Sequence, residues 1–272
     1  MRFGTALRVM TLAALVASCK KEHAHYMPPP VGQAKKILLK DITIPNLPSP
    51  FYHFAYNPDS TVGSVDFSSG FSIYHVVYSS GRISEMRVDR DTLRYQYDND
   101  GKLTLIKFIN QANSIYRIVF LSYNGDQVKG IEWDQKVDNV GYLLDRTLAF
   151  TYYPDGNVNT ITEHRPARDS LPEYNSTWHF EQYDDKVNVD DFSLVHDPFH
   201  DHLLLFQGFR LQKNNPGKEI FSAGAGNAAY TVNNTYTYNS DHTPSLKTGD
   251  LLFTGGSDSA KRFQTSTAYT YY

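Results

Sequence analysis

The feature that most constrains this chain is a unit that recurs from Phe51 onward: an aromatic-rich segment ending in Tyr, a turn, then two apolar residues three apart. Tyr56 leads through Asn57-Pro58-Asp59-Ser60 to Val62 and Val65, and Tyr78 through Ser79-Ser80-Gly81 to Ile83 and Met86. Tyr97 leads through Asp98-Asn99-Asp100-Gly101 to Leu103 and Ile106, Tyr123 through Asn124-Gly125 to Val128 and Ile131, and Tyr153 through Pro154-Asp155-Gly156 to Val158 and Ile161. Looser copies stand at Tyr183-Asp184-Asp185 and Tyr238-Asn239-Ser240-Asp241. Asn-Gly and Asp-Gly supply the positive φ of a tight hairpin turn. Tyr74-Val76-Tyr78 and Leu93-Tyr95-Tyr97 alternate with polar residues, which puts apolar groups on one sheet face.

One hairpin cannot bury its apolar face alone, so the units must pair edge to edge. The expected fold is all-β: an antiparallel meander of hairpins of roughly a dozen strands over residues 51–272. The step from Tyr183 to Tyr238 is 55 residues against 19 to 30 for the others, which marks an insert at about residues 186–229. A short helix near Pro198 to Leu211 is expected there, with Asp197 as its cap and Leu203-Leu204-Leu205-Phe206 docking on the sheet. Phe263, Thr265, Thr267, Tyr269 and Tyr271 alternate and are expected to form a closing strand.

The Tyr-turn units resemble the YD repeats of Rhs-type proteins. The chain from about Phe51 to Tyr272 resembles Bacteroidota cell-envelope lipoproteins of a domain-of-unknown-function group built from such hairpins. Tyr183-Asp184-Asp185-Lys186-Val187-Asn188, Asp197-Pro198-Phe199 and Asn214-Asn215-Pro216 resemble that group's late insert. Tyr236 to Pro244 resembles its penultimate hairpin, and Thr267-Ala268-Tyr269-Thr270-Tyr271 its last strand. Lys186 and His242 stand where a turn Gly is typical, so wider turns are expected there. The resemblance implies a β-rich envelope lipoprotein and carries over no catalytic residue.

The N-terminus gives an address. Arg2 and Arg8 precede a short apolar run, Val9 to Ala17, too brief to span a bilayer. Leu15-Val16-Ala17-Ser18-Cys19 looks like a bacterial lipobox, and Cys19 is the chain's one cysteine. Residues 1–18 read as a lipoprotein signal peptide and 19–50 as a lipidated Cys19 with a Pro-rich tether, anchored in the outer membrane on its periplasmic face or at the cell surface. The partners expected are therefore the membrane, through acyl chains on Cys19, and a glycan or envelope protein. A net charge of −3 gives no footing for nucleic acid, and a monomer is expected.

Chemistry-bearing patterns are sparse. His196, His200 and His202 lie with Asp197 and Asp201 in one stretch, a donor set for zinc. Solvated histidines at a helix start are the plainer alternative, with no cofactor at all. Gly224-Ala225-Gly226-Asn227-Ala228-Ala229 spells a dinucleotide fingerprint, but a strand follows it and the βαβ setting is missing. Among the aromatics, Trp133 and Trp178 are candidates for an exposed surface that stacks on sugars. The two functions carried forward are a non-catalytic envelope binding protein and a metal- or carboxylate-dependent hydrolase using the His196–His202 insert. If Cys19 is the anchor, the wild-type chain takes up labelled palmitate and sediments with membranes. Cys19→Ser then loses both and accumulates as unprocessed precursor; soluble, unlabelled wild type refutes the lipobox reading.

Overall fold

The computed structural model describes residues 36–168, 171–197, 202–224 and 229–272. The lipobox, Cys19 and most of the tether lie outside the described residues. Sixteen antiparallel strands follow one another in chain order and close into a barrel. They are β1 (Leu39–Thr43), β2 (Tyr52–Tyr56), β3 (Val62–Phe67), β4 (Ser72–Ser79), β5 (Arg82–Val88), β6 (Asp91–Tyr97), β7 (Leu103–Ile109) and β8 (Ile115–Asn124). There follow β9 (Gln127–Val137), β10 (Gly141–Tyr152), β11 (Val158–Arg165), β12 (Tyr174–Val187), β13 (Asn214–Ala223), β14 (Ala229–Tyr238), β15 (Pro244–Gly255) and β16 (Arg262–Tyr271).

The meander is as the alternation predicts, and its closure is more specific than the sequence reading. Residues 39–43, counted there as tether, form β1, which pairs Ile42 with Tyr269 of β16 and with Tyr52 of β2. The closing strand therefore has a neighbour on both sides, and the sheet has no free edge. Pro45, Pro48 and Pro50 fall in the connection after β1, where no ladder N–H is needed.

The recurrent Tyr has a physical role. Its hydroxyl donates to the carbonyl of the first apolar residue after the preceding turn: Tyr78 to Val62 (3.2 Å), Tyr97 to Ile83 (2.9 Å), Tyr123 to Leu103 (2.7 Å) and Tyr183 to Val158 (2.7 Å). In the fifth unit Tyr152, one residue before the expected Tyr153, makes this bond, to Val128 at 2.9 Å. The pairing register slips beside Tyr56, Tyr78, Tyr97, Tyr123, Tyr152 and Tyr238, so each unit carries a bulge that bends the sheet. Gly101 and Gly156 take φ of +84° and +89° in their turns, and His242 takes the same left-handed region at 65° without being a glycine. Lys186 is not in a hairpin turn: β12 runs on to Val187 before the chain leaves the wall.

Inward positions are apolar, among them Ile83, Met86, Leu93, Ile106, Phe108, Val119, Ile131 and Phe180. Outward positions carry charge: Glu85 of β5 binds Arg87 at 2.9 Å and Arg94 of β6 at 3.2 Å on the outer surface. Glu132, His179 and Lys218 continue this polar exterior around the wall. A lipid-spanning barrel needs the reverse, an apolar band outside.

A closed sheet of this many strands is too wide for its own side chains to fill. Residues 188–197 and 202–213 supply the missing volume: Val195, Leu203, Leu204 and Leu211 are almost wholly buried in the core. The expected helix near Pro198 to Leu211 is not what forms. Residues 202–211 are irregular, residues 198–201 lie outside the described residues, and the helical piece is a short 3-10 turn, Asp191–Val195. The reason is the surroundings. Leu203, Leu204 and Leu205 meet barrel wall around them, whereas an amphipathic helix buries only one stripe. Wall side chains meet the backbone of this filling segment: the Leu203 N–H donates to the Tyr74 hydroxyl (3.3 Å), and Gln207 bridges the Ile83 N–H (2.8 Å) and the Gly81 carbonyl (2.9 Å).

Candidate functional site

The histidine cluster is dispersed. His196 stands against β2 and β3, its Nδ1 2.6 Å from the Tyr52 hydroxyl and its ring edge-on to Phe67. His202 stands against β6 to β8, its Nε2 2.9 Å from the Tyr116 hydroxyl and 3.3 Å from Asp91, its ring stacked on Phe108. Each pins the filling segment to a different side of the wall. His200 lies outside the described residues. Among the described residues no group of three or more metal-binding side chains forms.

The tryptophans also part ways. Trp133 has 0% exposure beneath the Arg146 guanidinium, 4.9 Å from its ring, so it offers no face to a ligand. Trp178 lines a cleft of about 780 Å³ between the inner wall of β10 to β14 and the Asp191–Val195 turn. This cleft brings Arg146, Glu163, Arg165, Asp197 and Glu219 together with Tyr174, Trp178 and Tyr230.

Its β12 to β14 part is aromatic: Tyr174, Trp178 and Tyr230, with Phe221 against Trp178 at 4.8 Å. Its β10 and β11 part, next to it in the sheet, is charged. Glu163 Oε1 accepts from Arg165 at 2.6 Å and is ion-paired with Arg146, whose Nε stands 2.9 Å away, and Arg165 reaches on to Asp197 at 3.2 Å. Asp197, expected as a helix cap, serves this network instead. The two carboxylates hold the Arg165 guanidinium firmly charged and raise its pKa against the cost of burial. Deeper in the lumen Lys247 binds Glu219 at 2.8 Å, which holds the Glu219 carboxyl below its usual range despite burial.

The sequence reading missed Arg146, Glu163 and Arg165. A signal existed: Ile161, Glu163 and Arg165 share one alternation phase, so two charged groups occupy positions that face the core. A charge on an apolar face is expensive unless it is paired, and all three are paired here.

A second cavity, about 850 Å³, lies at the opposite end, among the Tyr-unit turns and residues 205–210. Asp191 borders it and organises the segment: its Oδ2 accepts from the Leu211 N–H at 2.9 Å, which fastens the departing chain to the returning one. Burial pushes this carboxyl up to about 6.

Two solved structures share this architecture. A porin-like protein from Bacteroides vulgatus matches with a TM-score of 0.58 at 12% identity, over 86% of this chain and 99% of its own. A porin-like protein from Bacteroides uniformis matches with a TM-score of 0.54 at 14% identity, over 81% of this chain and 89% of its own. At such identity the likeness is one of fold. No protein-family model matches the chain, and no curated protein matches it.

Asp191 sets a pH dependence. A carboxyl whose folded pKa is raised from 3.8 to about 6 favours folding fully below pH 3.8 and loses that contribution as pH climbs through 6. Asp191→Asn keeps an acceptor for Leu211 without the charge. It is expected to raise stability at pH 8 by about 1–3 kcal/mol and to leave it nearly unchanged at pH 4, as measured by urea unfolding at the two pH values. Equal shifts at both would refute buried ionisation at this site.

Proposed function

We propose that this chain is a non-catalytic cell-envelope protein, anchored through Cys19, whose barrel binds a sugar-like ligand in the cleft beside Trp178. The envelope reading draws support from the lipobox at residues 15–19 and from the fold shared with two porin-like proteins of Bacteroides. The polar exterior and the filled lumen favour a receptor over a pore, because neither a lipid-facing band nor an aqueous path fits them.

The observation that carries the ligand class is the meeting of an aromatic and a charged surface in one cleft. Trp178 and Tyr174 of β12 line one cleft beside the Arg146–Glu163–Arg165–Asp197 network, Arg165 being the cross-strand neighbour of Tyr174. A pyranose has apolar C–H faces and a rim of vicinal hydroxyls. The aromatic side suits the first, and planar guanidinium and carboxylate groups suit the second. Hydrolysis fits less well. A general acid needs a carboxyl with a raised pKa, and in this cleft Glu219 is lowered while Glu163 is tied to two guanidiniums.

Binding of neutral and acidic oligosaccharides to the chain from Lys20 to Tyr272, followed by calorimetry, tests this. At least one sugar is expected to bind, and Trp178→Leu, which keeps apolar bulk, to weaken it roughly 2- to 10-fold. No binding across the panel, or an unaffected Trp178→Leu variant, contradicts the proposal.

A further inference from the structure

The cleft does not end at Trp178. On the inner wall, register places one aromatic residue on each of five successive strands: Trp178 of β12 opposite Phe221 of β13, then Tyr230 of β14, Phe253 of β15 and, next to it on β16, Phe263. Ring centroids step along this line at 4.8, 4.8, 5.8 and 5.9 Å. Trp178 is four residues inside the start of β12, while Phe263 is the second residue of β16, so the line climbs from the cleft to the rim. Exposure follows the climb: Phe221 is 8% exposed and Phe263 52%.

The way the rings pack decides what they can hold. Phe221 and Tyr230 are stacked at 25°, each covering the other's face. Their remaining surface toward the lumen is mostly edge. Sugar stacking needs faces, but an alkyl chain needs only apolar area, since its burial is non-directional. The mouth continues this character: Leu171, in the connection between β11 and β12, is 69% exposed. Exposed apolar groups of this size at a mouth mark a binding surface when polar groups border them. Here the Arg165–Asp197 and Glu163 network borders the inner end.

We propose that the ligand is an amphiphile: a sugar head held in the cleft and an alkyl or acyl tail laid along the ladder from Tyr230 to Phe263, leaving at the rim. This rests on the sugar-binding reading above and adds the tail. The charged network takes the head because guanidinium and carboxylate groups bond hydroxyls, and it repels a bare hydrocarbon. The ladder takes the tail because each methylene it covers leaves water.

The chain from Lys20 to Tyr272, purified without detergent, tests this by calorimetry. The probes are octyl glucoside, galactoside, mannoside and glucuronide below their micellar concentrations, the four free sugars, and octanoate. At least one octyl glycoside is expected to bind tenfold or more tighter than both its own free sugar and octanoate. Phe263→Ser, at an exposed rim position, is expected to weaken that glycoside threefold or more and leave the free sugar unchanged. A free sugar binding as tightly as its glycoside overturns the tail and leaves the sugar reading standing. Octanoate binding as tightly as the glycosides overturns the amphiphile, since the head then adds nothing. If no probe binds, both readings fall. A folded Phe263→Ser variant with unchanged glycoside affinity removes the ladder from the account.

Discussion

A closed sheet of sixteen strands solves one problem and creates another, and most of this structure follows from the second. Closure pairs every strand on both sides, which removes the edges where β proteins aggregate. It also encloses a lumen that wall side chains cannot fill. A membrane channel leaves that space to water. This chain fills it with its own residues 188–197 and 202–213 and can therefore line most of the inside with Leu, Ile and Phe and turn Arg, Glu and Lys outward. The exterior polarity, the buried leucines and the single large insertion are one solution to one constraint.

Filling is uneven, and the unevenness makes the cleft. Val195, Leu203, Leu204 and Leu211 of the segment join an apolar core drawn largely from β1 to β12, which Arg146, Glu163 and Arg165 of β10 and β11 interrupt beside the cleft. Opposite β12 to β16 the inner wall changes to Glu219, Lys247, Tyr236 and the aromatic ladder. Charged groups in such a place are costly without partners, and each main pair is closed at 2.6 to 2.9 Å. Stability alone is an insufficient account of three guanidinium and ammonium groups inside a barrel, because apolar residues of similar volume would serve it as well. The proposed sugar-like ligand would give them a use.

Much of the wall was legible in the sequence. The Tyr-turn unit gave strand order and direction, because a turn with Asn-Gly or Asp-Gly between alternating segments allows little else. The closing strand was legible from the alternation of Phe263 to Tyr271. Its partner was not: β1 is only five residues, Leu-Lys-Asp-Ile-Thr, beside prolines that read as tether. The insert was misread as a helix because Leu203 to Phe206 suits either a helix or a buried coil, and only enclosure on all sides distinguishes them. The three histidines looked like one site because they are close in sequence. An irregular chain crossing a lumen sends neighbours to different walls, as His196 and His202 show. The β10–β11 hairpin brings Arg146 to Glu163, and the filling segment brings Asp197 to Arg165, contacts that no short sequence motif records.

The central claim is that the lumen is filled by the chain itself and that the barrel stands in water because of it. Leu204, 1% exposed at the middle of the filling segment, is the place to test it. Urea unfolding of detergent-free Leu204→Ala is predicted to show one cooperative transition for the whole barrel, with stability lowered by about 2–5 kcal/mol. An unchanged midpoint, or a wild-type chain that holds its fold only in detergent, would contradict the account.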